Sequence, residues 1–389
     1  VPVTLVGTDG TTLAELNQQK FRQGIERLYW IAESPGSYQI RVRSLEKKEP
    51  GTYQIRIEEV RKATNADELR VRALKTYWEA LALGVESDDA SRAKAIEKHQ
   101  EALKLFNEAG DQWGQGTTLH RIGLVYWDMK QWPKAIDYFK QANPFYQTAG
   151  DRQGEAGALA DQGGIFGDDE NADLDVSKAL PLFEAALPIA REIGDKELES
   201  RILYNEARLY NRPTGNWRKA IELYELSLEP WRATGDIKSV AFTLNNMGMA
   251  YFYNGEPYQG LKNLNEALEA IRIVGSRDNE AGYLCNIAMA HYSVGEVQKA
   301  LDTLDHALAI IRADTIEFIE PFAFMLQGQI LSSLGEKELA IESYEKALRR
   351  MRQFGMFEGE RAALSNMGDT YLQAGQYEKA IATLTLALR

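Results

Sequence analysis

A small residue returns along this chain at a nearly fixed interval, and that recurrence limits the fold more than any other feature. It occupies Ala95, Ala135, Ala179, Ala220, Gly260, Ala300, Ala340 and Ala380, at spacings of 40, 44, 41, 40, 40, 40 and 40 residues. Seven positions later comes a second series: Ala102, Ala142, Ala186, Ser227, Ala267, Ala307, Ala347 and Ala387. A third series, Gly123, Gly163, Ala207, Gly248, Ala288, Gly328 and Gly368, precedes the first within each unit. Two antiparallel helices approach closely only where side chains are small, and Phe139, Tyr224 and Tyr344 are sized to fill the gaps between successive pairs. One such pair cannot bury both of its faces, so the units must stack. The expectation is a mainly α chain, an α-solenoid superhelix of about eight helical hairpins over residues 63–389.

The punctuation between helices agrees. Gly-Asp pairs at 110–111, 150–151, 194–195 and 235–236 offer a left-handed helix end followed by an N-cap carboxylate. Gly255, Gly295, Gly335 and Gly375 turn the chain inside a unit. Pro133 falls in a first turn, which tolerates proline. Pro144, Pro188 and Pro230 fall late in second helices, where the loss of an amide donor predicts a kink or an early end.

Residues 1–62 follow a different period. Val1 to Val6 reads as a strand, Ile25 to Ala32 is an apolar run, and two similar segments begin with Pro-Gly at 35–36 and 50–51. In these, Tyr38, Ile40 and Val42, then Tyr53, Ile55 and Ile57, alternate with Arg41, Arg43, Arg56 and Glu58, the pattern of half-buried antiparallel strands. About four strands make a thin sheet that needs a second layer. The Gly-x-Tyr-x-[Ile/Val]-x-[Ile/Val] endings resemble the C-terminal half of the bacterial pre-peptidase β-sandwich, which implies a small, incomplete sandwich. A chain that starts inside a strand at Val1 is expected to be processed, truncated or incompletely sequenced.

The pattern Gly-x-x-Tyr … Gly-x-x-x-x-Ala-Ile-x-x-Tyr-x-x-Ala-Leu, near 248–268, 328–348 and 368–388, resembles the tetratricopeptide repeat. Gly260, Leu331 and Leu384 depart from it. The period of 40 implies longer helices than the usual 34-residue repeat, as in kinesin-light-chain-like and bacterial signalling arrays. The unit endings, together with the β region, are also similar to the array that precedes the caspase-like (CHAT) protease in some bacterial proteins. That likeness implies a regulatory arm, with a weak lean toward an extracytoplasmic site. The last unit ends at Leu388-Arg389 with Ile381, Leu384 and Leu388 uncovered by any further helix, so either more chain or a partner is expected there.

Composition narrows the function. Lys+Arg is 45 against Asp+Glu 57, a net charge of −12, which argues against nucleic-acid or anionic-membrane binding. No apolar run is long enough to span a bilayer. A single cysteine and four histidines leave little for a metal centre or a thiol nucleophile. Cys285 and His291 fall at repeat positions with structural roles, and neither glycine-rich stretch, 114–116 or 163–167, has the strand-loop-helix context of a phosphate loop. No catalytic group and no cofactor is expected. The insertion at 168–175 places Asp169, Asn171, Asp173 and Asp175 at alternate positions, like the start of a calcium loop. It lacks the glycine and the final glutamate of such a loop, so a solvated loop ending in a helix cap competes with a calcium site.

The remaining surface is the groove lined by the first helices. If the small residue of each first helix is position 8, positions 2, 5, 9, 12 and 13 face the groove, as in the repeat family. Unit four then shows Arg201, Tyr204, Arg208 and Arg212. Unit five shows Phe242, Asn245, Met249, Phe252 and Tyr253. Unit six shows Cys285, Met289 and Tyr292, unit seven Phe322, Met325 and Gln329, and unit two His120 and Trp127. A basic patch beside an aromatic and methionine-rich floor suits a protein or peptide with apolar side chains and an acidic or carboxylate group. Repeats that clamp a C-terminal carboxylate use Lys and Asn at fixed positions; only Asn245 falls near them, so that ligand is not implied. The function expected is a non-catalytic interaction scaffold. The alternatives are a regulatory arm and a small-ligand sensor.

Overall fold

The structure is a computed structural model that describes residues 3–6, 9–16, 29–32, 36–42, 60–84, 88–167, 175–211 and 214–388. Sixteen helices among the described residues form eight consecutive hairpins. They are α1 (Asn65–Leu83) and α2 (Asp89–Glu108), α3 (Gln112–Asp128) and α4 (Trp132–Ala149), α5 (Arg152–Phe166) and α6 (Val176–Glu192), and α7 (Lys196–Asn211) and α8 (Trp217–Thr234). The rest are α9 (Ile237–Tyr253) and α10 (Pro257–Val274), α11 (Arg277–Ser293) and α12 (Val297–Ala313), α13 (Glu320–Ser333) and α14 (Lys337–Gln353), and α15 (Phe357–Gln373) and α16 (Tyr377–Ala387). The chain divides into two compact units, Val1–Ile202 and Leu203–Arg389.

The recurring small residues sit at the closest helix approaches. Ala95, Ala135, Ala179, Ala220, Ala300 and Ala340 have no exposed surface. A Cβ on Gly123 would lie 2.5 Å from the Phe139 ring, and one on Gly328 would lie 2.6 Å from Tyr344. Each glycine is thus the floor on which the large residue of its own second helix rests. His99 occupies that large-residue place in the first hairpin and is 1% exposed.

The expected punctuation is present. Gly110, Gly150, Gly194 and Gly235 have φ of 67°, 66°, 70° and 69°. The Asp111, Asp151, Asp195 and Asp236 carboxylates accept from the amides of Gly114, Gly154, Leu198 and Ser239. The prolines correct the expectation of early ends, since α4, α6 and α8 run on past Pro144, Pro188 and Pro230. The carbonyls they leave without an amide belong to Lys140, Glu184 and Leu226, all exposed residues, on the side of the helix away from the core.

The first unit begins with a three-stranded antiparallel sheet in the order β2-β1-β3, made of β1 (Val3–Val6), β2 (Thr12–Leu16) and β3 (Gln39–Val42). Thr4, Leu5 and Val6 of the central strand are buried. The alternation at 38–42 forms its strand, but Ile40 is 40% exposed rather than buried. Tyr29 to Ala32, the described end of the apolar run, is not a strand, and the segment at 50–57 lies outside the described residues. Tyr29 packs on the cluster of Ala73, Leu74, Tyr77, Ala102 and Phe106, under the Arg70 guanidinium at 6.0 Å from its ring centroid. The segment before α1 thereby covers part of the first hairpin.

Candidate functional site

First helices touch the next hairpin's first helix: α3 with α5 in the first unit, and α9 with α11, α11 with α13 and α13 with α15 in the second. Second helices make no comparable contact with one another among the described residues. Within each unit the first helices therefore line the tighter side, the side on which the groove residues were expected.

A polar ladder fastens this side. Position 5 of one first helix bonds position 6 of the next. Arg121 donates to the Tyr77 hydroxyl at 3.3 Å, and His120 Nε2 meets Asp161 Oδ2 at 2.9 Å. Asn246 donates to the Tyr204 hydroxyl at 2.8 Å, and Asn286 donates to Asn245 Oδ1 at 2.9 Å. Four such rungs recur because the 40-residue period returns a polar residue two places before the small one. Sequence reasoning passed over Arg121, Asp161, Asn246 and Asn286, although their spacing was the signal.

In the first unit the ladder becomes a charged relay. His120 Nδ1 lies 3.1 Å from the Tyr146 hydroxyl, and the Arg201 guanidinium pairs with Asp161 Oδ1. Asp161 is 4% exposed. Burial alone would raise its carboxyl, but Arg201 and His120 override burial and hold it down at about 2. Both ring nitrogens of His120 are engaged. Nε2 faces the Asp161 carboxylate and so carries a proton toward it, and Nδ1 faces the Tyr146 hydroxyl. Arg201, expected as a groove cation, is thus committed to an internal carboxylate, though its side chain remains 37% exposed.

The other expected residues fall as follows. Tyr204 is partly buried and holds a ladder rung, with its ring 5.8 Å from that of Tyr224. Arg208 is partly buried on α7. Arg212, Asp169, Asn171 and Asp173 lie outside the described residues. Asp175 caps α6 by accepting from Ser177 and Lys178. No cluster of three or more metal-ligating side chains occurs among the described residues. Asn245 is buried at 9% exposure. Phe242, Met249, Phe252, Met289 and Tyr292 are partly buried, and Tyr253 is 56% exposed against Trp217 and Phe252. Cys285 is partly buried, and burial pushes its thiol up to about 12, away from nucleophilic use.

The groove side of α9, α11 and α13 carries no charged side chain at positions 2, 5, 9 and 12. Its residues are aromatic, methionine, small or neutral polar, in a chain that is 26% charged. Half-open aromatic and thioether surface of this kind can hold apolar side chains, and the neutral amides can meet a peptide backbone.

A family model described as "Tetratricopeptide repeat" matches residues 89–148, 239–313 and 322–389, just over half of the chain. No curated protein sequence matches it. Among solved structures, a signal-transduction ATPase with numerous domains and a tetratricopeptide-repeat sensor, from Pyrococcus horikoshii, is similar at TM-score 0.60 and 17% identity. That match covers 83% of this chain and 49% of the other, so the chain spans about half of that protein. The apo form of the quorum sensor NprR from B. thuringiensis is similar at TM-score 0.63 and 16% identity, covering 82% of this chain and 87% of that one. A Rap protein complexed with Competence and Sporulation Factor is similar at TM-score 0.53 and 14% identity, covering 83% and 97%. At such identities the likeness is one of fold.

Proposed function

The chain belongs to the tetratricopeptide-repeat family, and from that premise we propose that it is a non-catalytic receptor arm holding a protein or peptide segment against α9, α11 and α13. The observation that carries this reading is that positions 2, 5, 9 and 12 of these helices hold no charged residue and leave aromatic and methionine side chains partly open, with the Lys238 ammonium 5.7 Å from the Phe242 ring centroid at the edge of the face. A face whose repeat positions are uncharged in an acidic protein favours apolar side chains over charged ones. The quorum sensor and the factor-bound Rap protein among the fold neighbours are consistent with it, although they bear on the fold alone. Arg201 is held by Asp161, so the reading does not rely on an acidic group in the partner.

The test is selection from a display library of random linear peptides on the immobilised chain. Enrichment of apolar, weakly charged sequences is expected. Tyr253→Glu and Met289→Glu should each abolish their capture while leaving the helical circular dichroism unchanged. Enrichment no better than on bare support, or capture indifferent to both substitutions, would sink the reading.

A second reading, in which the array is the regulatory or sensor part of a larger protein, is favoured by the match to half of the Pyrococcus ATPase. The caspase-like domain, the pre-peptidase likeness and the extracytoplasmic site expected above belong to that reading as proposals. It is tested by the mass of the protein taken from its native source.

A further inference from the structure

The junction before α13 breaks the rule that the rest of the second unit follows. Gly235, Gly275 and Gly355 place glycine in the left-handed region where one hairpin passes to the next, but here the residue is Thr315, at φ 56°. A β-branched residue in that region is an outlier that the surrounding chain must hold in place. The helix that follows has also lost its first turn: α13 is 14 residues long, whereas α9, α11 and α15 each have 17. The turn that replaces it lifts Phe318 to the rim at 63% exposure, one helical turn ahead of Phe322 at 49%. Phe354, at the end of α14, closes the group. The Phe318 ring centroid lies 6.3 Å from those of both Phe322 and Phe354, at interplanar angles of 60° and 61°. Three rings thus form an open corner whose inner wall, Phe322, is already part of the uncharged groove side.

We propose that Phe318, Phe322 and Phe354 are an anchor site for one large apolar side chain, aromatic or branched aliphatic, of the segment that lies along α9, α11 and α13. The proposal rests on the peptide-binding reading above and adds which residue class sets the register. Charge supports this occupant. Glu317 and Glu320, the acids beside the corner, are both taken by Arg350 at 3.2 and 2.6 Å, and Asp314 is taken by Arg277 at 3.1 Å. With these acids paired inside the chain, the surface the corner itself presents is apolar. Area supports it too. Two rings about half open present roughly 200 Å² of apolar surface, enough for a single side chain. A second protein surface needs about 800 Å² per partner. Exposed aromatics clustered together are also the composition of interface anchors, which carry most of the affinity at small cost in area.

The experiment uses the same display library of random linear peptides, with the full chain and its Phe318→Ala variant as parallel baits. Phe318 is mostly exposed, so the variant should keep the wild-type melting curve. The expected result is that wild-type binders share one large apolar residue at a fixed place in the sequence. The strongest of them, made synthetically, should bind the variant at least about tenfold more weakly. Replacing its anchor residue with alanine should cost the wild type the same factor and cost the variant little further. If the library yields binders that share no such residue, or that bind the Phe318→Ala variant equally well, the anchor is overturned and the groove reading stands. If the library yields no binder to the wild type, the groove reading falls and takes the anchor with it.

Discussion

Replacing His99 with leucine should stabilise the first hairpin, and by more as the solution becomes more acidic. The imidazole sits on α2, 1% exposed, in the place that Leu264 and Leu304 fill in later hairpins. Its ring lies 5.3 Å from that of Tyr77, and its Nδ1 is buried with no hydrogen-bond partner among the described residues. Burial, reinforced by the nearby Arg121 cation, pushes its pKa from 6.5 down to about 3. The folded group is therefore depressed. The stability it permits is fully present above pH 6.5 and is lost progressively as the pH falls toward 3, because the unfolded chain takes up the proton first. By pH 5 the linkage amounts to about 2 kcal/mol, and at pH 7.5 it is close to nothing. Leucine has nearly the same volume and no proton to take up. Hairpins in a stacked array open separately, so the readout should be local: amide hydrogen exchange over residues 65–108 for both proteins at pH 7.5 and 5, corrected for intrinsic rates. The expected result is similar protection at pH 7.5 and protection greater in His99→Leu by about 2 kcal/mol at pH 5. A difference between the proteins that does not change with pH would refute the reasoning.

Asp161→Asn should destabilise the first unit by about 2 kcal/mol at neutral pH, as expected for a carboxyl held at about 2 against an ordinary 3.8. That contribution is present above pH 3.8 and lost as the pH falls through 2, so the gap in denaturant midpoint between the two proteins should narrow over that range. Gly328→Ala should cost about 1–3 kcal/mol in urea unfolding, because the new Cβ meets the buried Tyr344 ring at 2.6 Å. A neutral result would mean that the ring can retreat, and pairing it with Tyr344→Leu should then change nothing.

The solenoid was legible because its cause is local and periodic. A small residue at Ala300 or Gly328 is demanded by one close helix approach, and the same approach returns 40 residues later. The Gly-Asp junctions were legible for the same reason, since a left-handed turn and an N-cap each need one residue type. The prolines misled because the sequence shows the missing donor and hides where the stranded carbonyl points; at Lys140, Glu184 and Leu226 it belongs to an exposed residue. Ile40 was read as buried because alternation reports two faces without saying which one is covered. The corner of Phe318, Phe322 and Phe354 was missed because Phe318 lies in a junction that departs from the period, where repeat phasing assigns no role.

The arginines show what phasing alone omits. Position along a repeat helix says which side a residue faces, and the sequence puts Arg201 and Arg208 on one side with Tyr204. It does not say what stands on the adjacent helix. Asp161 is 40 residues from Arg201 and fully inside the array, and the period that aligns the helices also brings that carboxylate under the guanidinium. A cation that neutralises a buried carboxylate is not free to leave it, because withdrawing it would leave Asp161 charged in a dry place. Charge on the groove side must therefore be counted after the ladder positions are paired. Counted that way, Arg201 answers first to Asp161, and the aromatic and methionine face of α9, α11 and α13 becomes the main part of the proposed site.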